Sequence, residues 1–106
     1  MKRVIAGALA VGACAAAAVP ALAATKTVAV KDDFFSPKSM SVNKGTTIKW
    51  AFRGKSPHNV TVISGPVKFR SGNKSSGTFS KKLGKKGTYK IVCTIHPGMN
   101  QTITVR

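Results

Sequence analysis

From residue 25 onward, apolar and polar side chains alternate in short runs broken by glycine, proline and asparagine, and no stretch carries a helical period long enough to bury one face. Residues 25–30 read as a β-rich run, which the sequence Phe34, Phe35, Ser36, Pro37 interrupts. Met40 and Val42 alternate ahead of the turn Asn43, Lys44, Gly45. Residues 46–52 place Ile48, Trp50 and Phe52 on one face, with Lys49 and Arg53 on the other, the period of two expected of a half-buried strand. Residues 59–63 form another such run. Residues 64–77 are rich in glycine and serine and read as loop, with Val67 and Phe69 suited to a short edge strand or a turn of helix. Residues 78–83, 88–93 and 101–105 complete the set, and Lys81, Lys82, Lys85 and Lys86 around Gly84 and Gly87 read as a charged hairpin turn. About seven strands with inward aromatics and turns every eight to twelve residues or so predict an all-β, antiparallel sandwich. Tyr89, Ile91 and Cys93 share the inward face of a late strand, so Cys93 closes that strand at one pole.

The first residues do not belong to that pattern. Lys2 and Arg3 precede an apolar run from Val4 to Val19, and Pro20 leads into Ala21, Leu22, Ala23, the small-x-small pattern of a signal-peptidase site. The expected organisation is a signal peptide at 1–23 and one domain at 24–106, exported to the periplasm or beyond, with no membrane span after processing. The apolar run is short for the ~20 residues that cross a bilayer. Lipidation at Cys14 is a weaker alternative, because Val11, Gly12 and Ala13 lack the leucine such a site favours.

Processing removes Lys2 and Arg3, so the net charge falls from +16 to +14 on a smaller body. Asp32 and Asp33 are the only carboxylate side chains and adjoin each other, which excludes a paired-carboxylate hydrolase and an oxygen-rich Ca²⁺ or Mg²⁺ cage. Cys14 leaves with the leader, and Cys93 then has no disulfide partner. A lone thiol in an oxidising compartment calls for an occupant.

That occupant is suggested by two segments. Cys93, Thr94, Ile95, His96, Pro97, Gly98, Met99 and Ser56, Pro57, His58, Asn59, Val60 together hold both histidines of the chain. A Cys thiolate, two imidazoles and a weak thioether are the donor set of a blue-copper site. Two residues carry the chain from Cys93 round to His96, Pro97 and Gly98 make a tight turn, and Met99 returns as the next strand begins. Taken singly, each of these residues has an ordinary role as core thiol, turn histidine or core filler. Their conjunction points to a metal.

These motifs resemble the small cupredoxins, the group of plastocyanin, pseudoazurin and amicyanin. The resemblance spans nearly the whole domain: Phe35 with Pro37, the Val42, Gly45, Thr46, Ile48, Trp50 run, Pro57 to Val60, Gly87 to Tyr89, and the 93–99 loop, whose spacing is similar to that of amicyanin. It implies a Greek-key sandwich holding one copper ion that cycles between Cu(I) and Cu(II), with His58, Cys93 and His96 as strong ligands and Met99 as the axial one. It also implies that Asn59 ties the His58 loop to the segment after Cys93, and that His96 is the ligand nearest the surface and the electron exit. Where many relatives carry an Asn or Asp, this segment reads Arg53, Gly54, Lys55, Ser56 with no acidic residue, so cationic surroundings that favour Cu(I) are expected.

The expected function is an exported electron-transfer protein, a monomer and not an enzyme. Its expected partner is an acidic redox protein, such as a cytochrome or a periplasmic oxidoreductase, drawn in by the positive field. Two alternatives are a copper carrier or buffer that delivers the ion without redox cycling, and a cationic adhesion module for acidic polymers with an incidental metal. Nucleic acid is disfavoured as a partner, because the chain is read as exported and its aromatics fall on the inward phase. With both histidines committed, none is left for the additional copper centres of a copper enzyme.

Overall fold

A computed structural model describes residues 24–106. The signal-peptide reading and Cys14 lie outside the described residues. Eight strands follow in order: β1 (Thr25–Lys31), β2 (Phe34–Ser36), β3 (Ser39–Val42), β4 (Thr47–Phe52), β5 (Thr61–Ser64), β6 (Thr78–Lys82), β7 (Gly87–Val92) and β8 (Asn100–Val105). They form two four-stranded sheets, ordered β2-β1-β4-β6 and β3-β8-β7-β5. No helix occurs among the described residues, and none there is long and apolar enough to cross a membrane.

The all-β sandwich agrees with the alternation, but the sheets are mixed rather than wholly antiparallel. β1 runs parallel to β4, from Thr25 opposite Thr47 to Val30 opposite Phe52, and β3 runs parallel to β8. The chain leaves the first sheet after β2, enters the second as β3, and returns as β4 beside β1. A strand that re-enters from the same end as its neighbour pairs with it in parallel. Alternation fixes which side chains face inward and carries no information on the direction of the neighbour.

Three further expectations change. Phe34, Phe35 and Ser36 do not break the sheet; they form β2, a hairpin arm turned by Asp32 and Asp33, with Phe35 buried and Phe34 exposed. The lysine-rich turn after β6 is not a hairpin, because β6 pairs with β4 and β7 pairs with β5 and β8, so it carries the chain between sheets. Phe69 is in neither a strand nor a helix; its loop is held to the sandwich by the isolated bridges of Thr61 with Arg70 and His58 with Lys74 and by single hydrogen bonds such as Val62 N to Phe69 O at 3.0 Å. Its ring lies 6.0 Å from Trp50 and 6.1 Å from Phe79 on one sheet, and 6.5 Å from Tyr89 on the other, closing the side between β5 and β6.

The inward phase of β4 is as the pattern predicts, with Ile48 and Trp50 fully buried and Phe52 nearly so. Val28, Val30, Tyr89, Ile91 and Ile103 complete the middle of the core. One polar link crosses it. Trp50 Nε1 donates to Gln101 Oε1 at 2.9 Å, and Gln101 Nε2 donates to Pro37 O at 2.8 Å, so a buried amide satisfies the indole and fixes β4 against β8.

Candidate metal centre

β7 ends at Val92 and delivers Cys93 into the core, 3% exposed. The loop that follows is set by backbone bonds: His96 N donates to Cys93 O at 3.3 Å, Met99 N to His96 O at 3.1 Å, and Cys93 N to Met99 O at 3.0 Å. Pro97 and Gly98 occupy the middle of this last turn, and Gly98 has φ of 87°, which a side chain would resist. Met99 is thereby returned beneath the loop, buried in the same apolar cluster as Cys93. His58 arrives from the segment before β5, fully buried, its backbone paired with Lys74 in both directions at 2.9 and 2.8 Å.

The three strong donors converge. Cys93 Sγ lies 3.4 Å from His96 Nδ1 and 3.9 Å from His58 Nδ1, and the imidazole centroids are 4.5 Å apart. One atom from each of His58, Cys93 and His96 falls within 4.8 Å of the others. Both imidazoles turn Nδ1 toward the sulfur. His96 keeps 26% of its side chain in solvent whereas His58 keeps none, so His96 is the member nearest the surface.

Asn59 performs the tie expected of it. Its Nδ2 donates to Thr94 Oγ1 at 2.8 Å and its Oδ1 accepts from Thr94 N at 3.1 Å, joining the His58 segment to the residue after Cys93. The same amide also donates to Asn73 Oδ1 at 2.9 Å, which anchors the long loop to the site.

The expectation of surroundings without an acidic group is corrected by Asp32. The turn between β1 and β2 brings this carboxylate beneath the loop at 53–56, where Oδ2 accepts from Lys55 N at 2.8 Å and Oδ1 accepts from Ser56 N at 3.0 Å. His58 Nε2 lies 2.7 Å from Asp32 Oδ1. An ionised carboxylate can only accept, so Nε2 carries the hydrogen and Nδ1 presents its lone pair inward, the tautomer a metal ligand needs. The backbone donor of Lys55 and then the His58 side chain hold the Asp32 carboxyl at about 2, below its ordinary 3.8. Its folded pKa being the lower one, ionised Asp32 favours the fold above pH ~4, and this contribution is lost as pH falls through ~2. Gly54 leaves room for this arrangement, because a Cβ there would overlap the Asp32 carboxylate. Asp33 faces the other imidazole, its Oδ1 3.5 Å from His96 Nε2, an electrostatic contact longer than a hydrogen bond.

Sequence reasoning missed both aspartates as parts of the site. The usable signal was that a chain with two carboxylate side chains places both in one turn.

Residues 23–106 match the family of copper binding proteins described as plastocyanin/azurin. The chain belongs to that family. It is 31% identical over 102 residues to amicyanin-alpha of Methylorubrum extorquens, covering 92% of this chain and 85% of that one. To the plastocyanin of Prochlorothrix hollandica it is 33% identical over 111 residues, with the same two coverages of 92% and 85%. Among solved structures, the Cu(I) form of a mutant amicyanin superposes with a TM-score of 0.70 at 26% identity, over 77% of this chain and 82% of that one. The copper-containing nitrite reductase of Thermus scotoductus gives 0.69 at 25% identity over 77% of this chain, which spans only 22% of that much longer protein. Copper is therefore the metal of this family member. Two imidazoles, a thiol and a buried thioether form a soft donor set that fits it, and Met is a poor ligand for zinc.

Proposed function

We propose that this protein is an exported single-electron carrier in which His58, Cys93, His96 and Met99 hold one copper ion. The supporting observation is the preset convergence of Cys93 Sγ with both Nδ1 atoms, while Asp32 is bonded to the opposite nitrogen of His58 and Asp33 faces that of His96. Bound copper would supply a one-electron couple between Cu(I) and Cu(II). The chain's own part is to keep one donor geometry for both states. Asn59 clamps the two ligand segments together, Asp32 fixes the His58 ring, and the turn at 96–99 holds His96 and Met99 at a set separation. His96 is the partly exposed edge of the site, and electrons would pass through it to a partner docked at this pole.

Adding Cu(II) to residues 24–106 should produce an intense visible band from thiolate-to-copper charge transfer, and Cys93→Ser should abolish it. A colourless wild type overturns the site. Reduction by one equivalent of an electron donor and reoxidation without loss of the metal is expected of an electron carrier. Release of the ion to an acceptor protein without change of oxidation state would favour the copper-delivery reading.

A further inference from the structure

We propose that the pole opposite the metal centre is a docking face for anionic phospholipid membranes, formed by Lys26, Lys44, Lys82, Lys85, Lys86 and Arg106. The strand directions bring these six side chains to one end. β1 and β4 both start there, with Thr25 paired to Thr47, while β6 ends there, with Lys82 opposite the same Thr47. The turns are bound to one another as a platform: Lys44 N donates to Arg106 O at 2.9 Å, Gly45 N to Leu83 O at 2.8 Å, and Tyr89 Oη to Lys85 O at 2.9 Å. All six side chains are exposed.

Among the described residues none of these charges has a carboxylate partner. The two carboxylate side chains, Asp32 beside His58 and Asp33 beside His96, both stand at the far end of the molecule. Six cations held together without a carboxylate side chain repel one another, and an anionic surface relieves that repulsion.

Electron transfer does not account for them. Cys93 is separated from this pole by the whole of β7, about 20 Å at the rise of a strand. A redox partner docked here would be a full sandwich length from the metal site, whereas His96 is partly exposed at the other end. A membrane is favoured over a soluble acidic protein by the path of the chain. Thr47 N donates to Ala24 O at 3.0 Å, so residue 24 lies at this same pole, and until processing removes it the apolar leader is attached there, which turns this end toward the bilayer during export. Docked in this way, the protein presents the metal pole away from the bilayer.

The test uses residues 24–106, which contain both sheets and the core, so that the apolar leader does not contribute. Flotation with phosphatidylcholine vesicles containing about 30% phosphatidylglycerol should carry the protein, pure phosphatidylcholine should not, and added salt should release it. Replacing Lys44, Lys85 and Lys86 together by Gln should weaken the partition about 100-fold, at about fivefold for each lysine. The same charge change at the metal pole, Lys31→Gln with Arg53→Gln and Lys55→Gln, should weaken it less than about tenfold, since those side chains face away. Hydrogen exchange on the vesicle should slow at residues 44–46 and 84–87 and not at 95–99. Equal losses from the two triple variants, or no flotation with the anionic vesicles, would overturn the proposal. So would retention through Lys44, Lys85 and Lys86 by a soluble anionic polysaccharide in the absence of any vesicle binding. None of these measurements requires copper, so their failure leaves the electron-carrier reading standing, and the reverse holds as well.

Discussion

The two poles of this sandwich solve opposite problems. At the metal pole a buried imidazole, a buried amide and a buried thiol must be held without stranding a polar group, and nearly every polar atom there has a named partner: Asp32 for His58, Thr94 and Asn73 for Asn59. At the other pole six exposed cations share no carboxylate side chain, and backbone bonds together with the Tyr89 hydroxyl order the turns that carry them. The chain has two carboxylate side chains for eighteen Lys and Arg, and both stand at the site. The acidic groups in this protein are thus placed against the two imidazoles, Asp32 by hydrogen bonds and Asp33 by a longer electrostatic contact, whereas the cations of the far pole are placed for the field they make.

The largest test of this contrast is Asp32→Ala. Losing the acceptor frees the His58 ring and unpairs Lys55 N and Ser56 N, and copper affinity should fall about 10- to 100-fold. Asp32→Asn should lie between, because one oxygen still accepts from His58 while its amide opposes Lys55 N. Competition with a chelator of known affinity reads both. If the alanine variant binds as the wild type does, the carboxylate has no role in holding the ligand. Gly54→Ala should act in the same direction by pushing Asp32 out of place.

Next in size is the metal-free fold. Asn59→Ala removes a fully buried amide that bonds Thr94 and Asn73, and thermal or urea unfolding should show a loss of about 2–3 kcal/mol. At the far pole, Lys85→Gln with Lys86→Gln should change stability by less than about 0.5 kcal/mol, with a gain at low salt that vanishes as screening rises. A large loss there would mean that those side chains hold the turn, contrary to the contrast drawn above.

The smallest effect concerns the reduction potential. At about 10 Å in water one charge is worth roughly 0.4 kcal/mol, just under ~20 mV for one electron. Replacing Arg53 and Lys55 by Gln should therefore lower the potential by no more than about 40 mV at low salt. Voltammetry of the loaded protein at two ionic strengths measures it, and an unchanged potential at low salt would show that these two cations do not act on the metal.

Much of the metal site lies in a continuous stretch of chain and is legible for that reason. Cys93, His96 and Met99 are brought together by one turn, in which Pro97 and Gly98 restrict the backbone to conformations that bring the chain back. Strand positions were legible through the period of two, as Ile48 and Trp50 illustrate. Phe34 to Ser36 was misread because two adjacent phenylalanines do not alternate, although Phe35 is buried while Phe34 points to solvent. Phe69 was ambiguous because its burial comes from three rings on other elements.

The sequence alone was sufficient to determine an all-β domain, a soft donor set with no spare histidine, and a strongly positive body, because each depends on composition or on residues a few positions apart. Only the tertiary structure decided that β1 and β4 run parallel, that Gln101 satisfies Trp50 from 51 positions away, and that Asp32 reaches His58 across 26. Those contacts arise from which strands share a sheet and in what register, and that is a property of the packed whole. The opposition of the two poles has the same origin. The charges are in the sequence, but their separation into a metal end and a cationic end follows from the direction in which each strand crosses the sandwich.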